Sequence, residues 1–288
     1  MAYALFLGCA VSSRALKYEI SARNLCKFLG LDLIDLSEFG CCGFPAKAID
    51  SDAALTMAAR NLALAEEKGI DIVGLCTGCV AVLCEAMREL EVQEVREKVN
   101  RLLQQLGGPI YRGTIKVKHL ARFLKEEYGM ARLRRCLTVP QKHLSLAVHH
   151  GCHFARPAHA HGYFENHSHP SALNELLECA GATTVEYATE GLCCGLTILA
   201  TAETESMRLV AEKLENLMEK KIDALVIACP SCGIAYENNQ KLIGKKMAKN
   251  FNVPVLYFTQ ILGLAAGLSE KELGFDLNRI EFPVTLFP

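Results

Sequence analysis

The chain of 288 residues has no tryptophan, no apolar run of membrane length and no low-complexity segment, and its net charge is only -1. The missing tryptophan excludes nothing by itself. The other absences exclude more. A membrane-spanning helix needs about 20 apolar residues, and the nearest approach, 254–266, contains Thr259 and Gln260. A balanced charge removes the global case for nucleic acid, which asks for a strongly basic face. No glycine-rich phosphate loop stands out, so no nucleotide site is expected. The opening stretch from Met1 to Cys9 superficially resembles a lipoprotein signal, but no Lys or Arg comes before Arg14 and the apolar run is short. It reads as a buried first strand, and the expected location is the cytoplasm.

Cysteine is what the chain has in excess, with 14 residues. In a small secreted protein this would suggest disulfides. Here 51% of a long chain is apolar, so two modest cores can form without cross-links. Ligation of a metal or cluster in a reducing compartment is the stronger reading.

Ten of the cysteines form a repeat. The first half carries Gly8-Cys9, then Cys41-Cys42-Gly43, then Cys76 and Cys79. The second carries Gly151-Cys152, then Cys193-Cys194-Gly195, then Cys229 and Cys232. Equivalent positions are offset by 143, 152 and 153 residues, so the second half has gained residues after Cys152. Apolar runs of strand length lie at 3–8, 71–75, 145–149 and 223–228, and amphipathic helical patterns at 14–29, 53–68, 171–180 and 202–220. Asp50-Ser51-Asp52 and Thr201 are expected helix starts. This alternation predicts an α/β fold with two pseudo-symmetric domains, each a small, mostly parallel sheet flanked by helices, and cysteines at strand C-terminal ends. The expected boundary is near Pro140, giving domains 1–140 and 141–288. The first includes a helical and basic linker region at 93–136.

Five cysteines per half is an informative number. Zinc takes four ligands, and so does a cubane iron–sulfur cluster. The gaps of 31 and 33 residues between the first half's elements are too long for a compact zinc ribbon. Adjacent thiolates suit a multi-iron cluster, where each can hold a different iron or bridge two. Glycines beside the cysteines, among them Gly78 and Gly233, allow close approach of the backbone. Zinc in one half is the minor alternative. Cys26 and Cys179 read as core residues; Cys84 and Cys136 also fall outside the repeat.

The doubled pattern resembles the CCG-domain iron–sulfur family, and the whole chain resembles the B-type subunits of heterodisulfide reductases. The likeness extends to Phe6-Leu7-Gly8-Cys9 and to the stretches 58–79 and 149–157. It implies one noncubane 4Fe-4S cluster per half. Cys9, Cys41, Cys42, Cys76 and Cys79 would hold the first, and Cys152, Cys193, Cys194, Cys229 and Cys232 the second. It further implies clusters at the domain interface, with a disulfide split between them and no acid–base residue required. Electrons would come from a ferredoxin-like C-type subunit, fed by a flavin-containing A-type subunit. The family's best-known substrate is the CoM-S-S-CoB heterodisulfide; another small or protein-bound sulfur substrate of sulfur metabolism is the variant reading. The competing function is a CCG-type electron-transfer subunit of a glycolate, lactate or succinate dehydrogenase complex.

Two further features are notable. His149, His150 and His153 flank Cys152 and are expected around the site rather than as ligands, while 159–169 reads as a solvated loop. Basic residues crowd 112–135, including Lys118, Arg122, Lys125 and Arg132, either as a solvated face or as a docking surface.

Overall fold

A computed structural model describes residues 2–283. The first half contains strands β1 (Ala2–Phe6), β2 (Asp32–Ile34), β3 (Ile72–Gly74) and β4 (Val117–His119), all parallel, in the order β2-β1-β3-β4. The second contains β5 (Ser145–His149), β6 (Thr183–Thr184), β7 (Ala224–Ile227) and β8 (Val255–Tyr257), in the order β6-β5-β7-β8. The two orders are the same, so the sequence repeat is a repeat of topology. The central strands are apolar throughout because helices cover both of their faces; Ala4, Phe6, Leu225 and Val226 are fully buried.

The first half's helices are α1 (Gly8–Arg14), α2 (Leu16–Phe28), α3 (Ser51–Glu67), α4 (Thr77–Glu89), α5 (Gln93–Gln105), α6 (Leu120–Phe123) and α7 (Met130–Cys136). The second half's are α8 (Ala172–Cys179), α9 (Glu203–Met218), α10 (Pro230–Gly233), α11 (Gln240–Lys246) and α12 (Phe258–Ala265). Asp50 starts α3 as expected, its carboxylate accepting from the Ala53 N–H at 2.9 Å. Thr201 does not start α9. Its hydroxyl donates back to the Ile198 carbonyl at 3.3 Å, and the helix begins two residues later. The stretch 93–136 is more than a linker, because β4 within it completes the first sheet.

The halves join by reciprocal packing. In each, the helix after the last strand reaches into the other half: α12 packs on α2, and α6 packs on α8. A contact made twice with the roles exchanged is the signature of a twofold arrangement. Phe258, Ile261 and Leu262 of α12 are fully buried, each contributing about 2 kcal/mol. The apolar run at 254–266 is thus an interface element, and among the described residues no helix is long and apolar enough to cross a membrane. Polar groups are paired across the same seam. Lys17 Nζ meets Glu237 Oε1 at 2.5 Å, and the Ser21 and Thr259 hydroxyls lie 2.6 Å apart. Tyr18 stacks on Tyr257 with ring centroids 4.0 Å apart.

Candidate functional site

Four of the cysteines closely follow strand ends: Cys9 after β1, Cys76 after β3, Cys152 after β5 and Cys229 after β7. The chain leaves β1 through Gly8, at φ +64°, and a Cβ there would stand 2.7 Å from Cys79 Sγ. The site therefore requires glycine before Cys9. The Cys41-Cys42-Gly43 turn has its own rule. Gly43 adopts φ +94°, and its N–H donates back to Cys41 Sγ at 3.5 Å. A Cβ at Gly43 would meet the Ala54 carbonyl at 2.6 Å. Cys76 caps α4, and Cys79 lies in that helix's first turn, so both sulfurs stand near its positive end.

The second half repeats these devices. Gly151 has φ +87° before Cys152, and Gly195 has φ +68° after Cys194. The Gly195 N–H donates to Cys193 Sγ at 3.4 Å, and Cys193 Sγ lies 3.9 Å from Cys152 Sγ. Cys229 caps α10 as Cys76 caps α4.

Each set of five forms a thiol network. In the first, Cys42 links to Cys41 and Cys79, Cys79 to Cys76, and the charge of Cys9 is felt at Cys41. The hydrogen bond from Cys79 leads in holding the Cys42 thiol down, to about 7, while Cys79 is pushed well up. In the second, Cys152 and Cys194 hold Cys193 low, and that same contact raises Cys152. Cys232 completes the chain between Cys194 and Cys229. Cys76 and Cys229 interact across the seam, so the two networks adjoin. A cavity of about 350 Å³ opens beside Cys9 and Cys41. A second, of about 540 Å³, is lined by Phe44 and Lys47 of the first half and by Cys152, His153 and Arg156 of the second.

The cysteine-rich domain model, CCG, matches residues 3–84 and 146–236. The chain is 33% identical to the B subunit of a ferredoxin/F420H2-dependent CoB-CoM heterodisulfide reductase of Methanosarcina acetivorans, over 96% of this chain and 93% of that protein. The chain belongs to the CCG family of heterodisulfide reductase B-type subunits. It is an oxidoreductase subunit of that type. It is also 30% identical, over 97% of both chains, to an 8-methylmenaquinol:fumarate reductase membrane anchor subunit of Wolinella succinogenes. A hypothetical protein of Helicobacter pylori shares the fold with a TM-score of 0.80 at 20% identity, over 97% of this chain and 52% of that one.

The donor set fits the group the CCG family implies. Five thiols linked in this way by hydrogen bonds and charge cannot all lose their protons with nothing positive among them, and a cationic iron–sulfur core would remove that conflict. Backbone N–H groups aimed at Cys41 and Cys193 sulfurs are of the kind that set cluster potentials. Among the described residues no group of three or more His, Cys, Asp or Glu side chains is arranged to hold a single metal ion.

The remaining CCG-half residues sort clearly. Cys26, Cys84 and Cys179 are buried in the core, and Cys84 Sγ contacts the Val117 carbonyl at 3.7 Å. Cys136 Sγ meets the Tyr128 hydroxyl at 3.4 Å. His153 Nδ1 stands 3.3 Å from Cys152 Sγ. His150 Nε2 accepts from the Leu173 N–H at 3.2 Å, away from the thiols, and burial depresses its pKa to about 3. His149 is buried beside Lys213. Much of the basic stretch is consumed internally: Lys118 pairs with Glu126 and Glu127, Lys125 with Glu165 and Glu175, and Arg122 and Arg132 cover Phe164 and Tyr128. Sequence reasoning missed two buried residues, His119 and Lys213. Lys213 had a visible signal, since it lies within the apolar face of α9 formed by Val210, Leu214 and Leu217.

Proposed function

We propose that this chain is the disulfide-cleaving subunit of a heterodisulfide reductase-type complex. On this reading Cys9, Cys41, Cys42, Cys76 and Cys79 hold one noncubane 4Fe-4S cluster, and Cys152, Cys193, Cys194, Cys229 and Cys232 hold a second. The observation that carries the proposal is the cavity shared by the two halves. Phe44 directly follows the first Cys-Cys-Gly turn, and Cys152 opens the second set; both line the same space. A disulfide entering there meets Cys152 directly, on a wall shared with Phe44, the residue that follows the first Cys-Cys-Gly turn. When bound, the clusters supply electrons one at a time and soft iron for each sulfur.

The protein's own residues bind and orient. Phe44 and the edge of His153, with ring centroids 5.2 Å apart, form one wall of the cavity. Lys47 is paired with Glu85 at 2.6 Å, both lining the cavity, so Arg156 leaves the rim with one net positive charge, which favours an anionic substrate. Cleavage of R–S–S–R′ consumes two electrons and two protons and releases two thiols. The electrons come from a ferredoxin-like C-type subunit, itself supplied by a flavin-containing A-type subunit. The substrate is CoM-S-S-CoB or another small or protein-bound disulfide.

The fumarate reductase relative favours one alternative, an electron-transfer role in organic-acid oxidation or reduction. Mild oxidation of the purified protein with a candidate thiol present separates the two. A thiol-dependent paramagnetic signal supports disulfide chemistry. Intact clusters that ignore every thiol and disulfide offered support the relay.

A further inference from the structure

The two half-sites are not electrically alike. The offset of 152 residues that carries Cys41 to Cys193 also carries Asn61 to Lys213. The offset of 143 that carries Cys9 to Cys152 carries Phe6 to His149. Where the first half has a neutral amide and a phenyl ring, the second has an amine and an imidazole.

Asn61 is satisfied by neutral groups. Its side chain accepts from the Gly40 N–H at 2.9 Å and donates to the Cys41 carbonyl at 3.0 Å. Lys213 is fully buried, and a charge in that position is costly unless well partnered. Its Nζ lies 2.9 Å from the Glu190 carbonyl, 3.2 Å from His149 Nδ1 and 3.4 Å from the Tyr187 hydroxyl. Three acceptors match the three donors of an ammonium group. The faces of Tyr187 and Tyr236 add cation–π contacts at 5.1 and 5.7 Å. Burial lowers the ammonium's pKa to about 8, so the cation persists at neutral pH, and the charges of Cys232, the Glu190 carboxylate, Cys194 and Cys193 favour it. Arg60, the residue before Asn61, is only half-buried and donates to the Glu38 carbonyl at 2.7 Å, where water screens it.

We propose that Lys213 is a positioning residue that fixes a buried positive charge beside the second cysteine set, making the cluster there easier to reduce than its partner in the first half. This rests on the cluster reading above. A fixed cation stabilises whichever state carries the additional negative charge. One electron from the reductant therefore goes first to the Cys152–Cys232 site, with Lys213 protonated before and after and no proton moved. The asymmetry gives the two sides of a disulfide different roles, one site filling before the other.

The test is a reductive titration of the whole protein with its partners, followed by paramagnetic resonance, on wild type, Lys213→Gln and Lys213→Arg, with iron counted in each. Glutamine keeps a donor for the Glu190 carbonyl and drops the charge; arginine keeps the charge. The expected result is two separate one-electron steps in wild type. In Lys213→Gln the higher step falls by roughly tenfold in reduced-to-oxidised ratio, about 59 mV for one electron, while the lower step stays. Lys213→Arg retains the wild-type separation. Wild-type steps that coincide, or a glutamine variant with full iron and unchanged steps, would overturn the proposal. If Lys213→Gln loses iron, the wild-type separation and its retention in Lys213→Arg decide. Wild-type protein without iron would instead sink the cluster reading itself.

Discussion

His119 Nε2 stands 3.0 Å from the carbonyl oxygen of Ala228, in the opposite half of the molecule. The same nitrogen lies 3.2 Å from the carbonyl of Leu75. Ala228 precedes Cys229, and Leu75 precedes Cys76. His119 Nδ1 accepts from the Ala121 N–H at 3.2 Å, so the ring proton sits on Nε2 and is shared by the two carbonyls. One neutral imidazole thus ties together the backbone leading into both C-x-x-C segments, and the Tyr18 hydroxyl supports it by donating to Ala228 at 3.2 Å.

Burial depresses the His119 pKa to about 4. The unfolded chain binds a proton near pH 6.5, whereas the folded chain refuses it until much lower pH. Stability therefore falls as pH drops through that window, by up to about 3 kcal/mol from this residue, and is flat above it. His119→Gln is expected to cost about 1–3 kcal/mol at neutral pH. The gap to wild type should narrow on acidification, as read by thermal midpoints between about pH 5.5 and 7.5. A gap independent of pH would contradict the neutral, doubly shared ring.

The glycines before the first cysteine of each set should differ in tolerance. A Cβ at Gly8 would sit 2.7 Å from Cys79 Sγ, but at Gly151 the nearest atoms are Thr77 Oγ1 at 3.3 Å and Cys229 Cβ at 3.5 Å. Both positions carry a left-handed penalty of about 1–2 kcal/mol for a side chain. Gly8→Ala is expected to lose about half of the bound iron and Gly151→Ala much less, given one four-iron cluster per half. Iron per chain checks this.

The buried pair Lys17–Glu237 spans the seam, and the same Glu237 oxygen also accepts from the Arg279 N–H at 2.9 Å. Removing one partner strands a charge. Glu237→Leu or Lys17→Met alone should destabilise by about 3 kcal/mol, and the two changes together by much less. Thermal unfolding of the four-member cycle gives the coupling. Additive effects would show that the pair contributes no coupling across the seam.

The cysteine repeat and the central strands were legible because each is written locally. Phe6, Val73, Val148 and Val226 lie in continuous apolar runs, and the Cys-Cys-Gly turns carry the glycines their geometry demands. The edge strands were not legible. Val117-Lys118-His119 is short and charged, and Val255-Leu256-Tyr257 merges into the apolar α12, so neither shows a strand period of its own. The reciprocal packing of α12 and α6 was likewise hidden, since a helix pattern reveals an apolar face and not its partner. His119 drew no notice because its partners lie 44 and 109 residues away.

Metal and sulfide content of the anaerobically purified chain, isolated with its native partners, tests the central claim most directly. Two four-iron clusters predict about eight irons and about eight sulfides per chain, without zinc. About four irons with one zinc would leave a cluster in one half only. Zinc without iron in metal-replete material would contradict the redox account altogether.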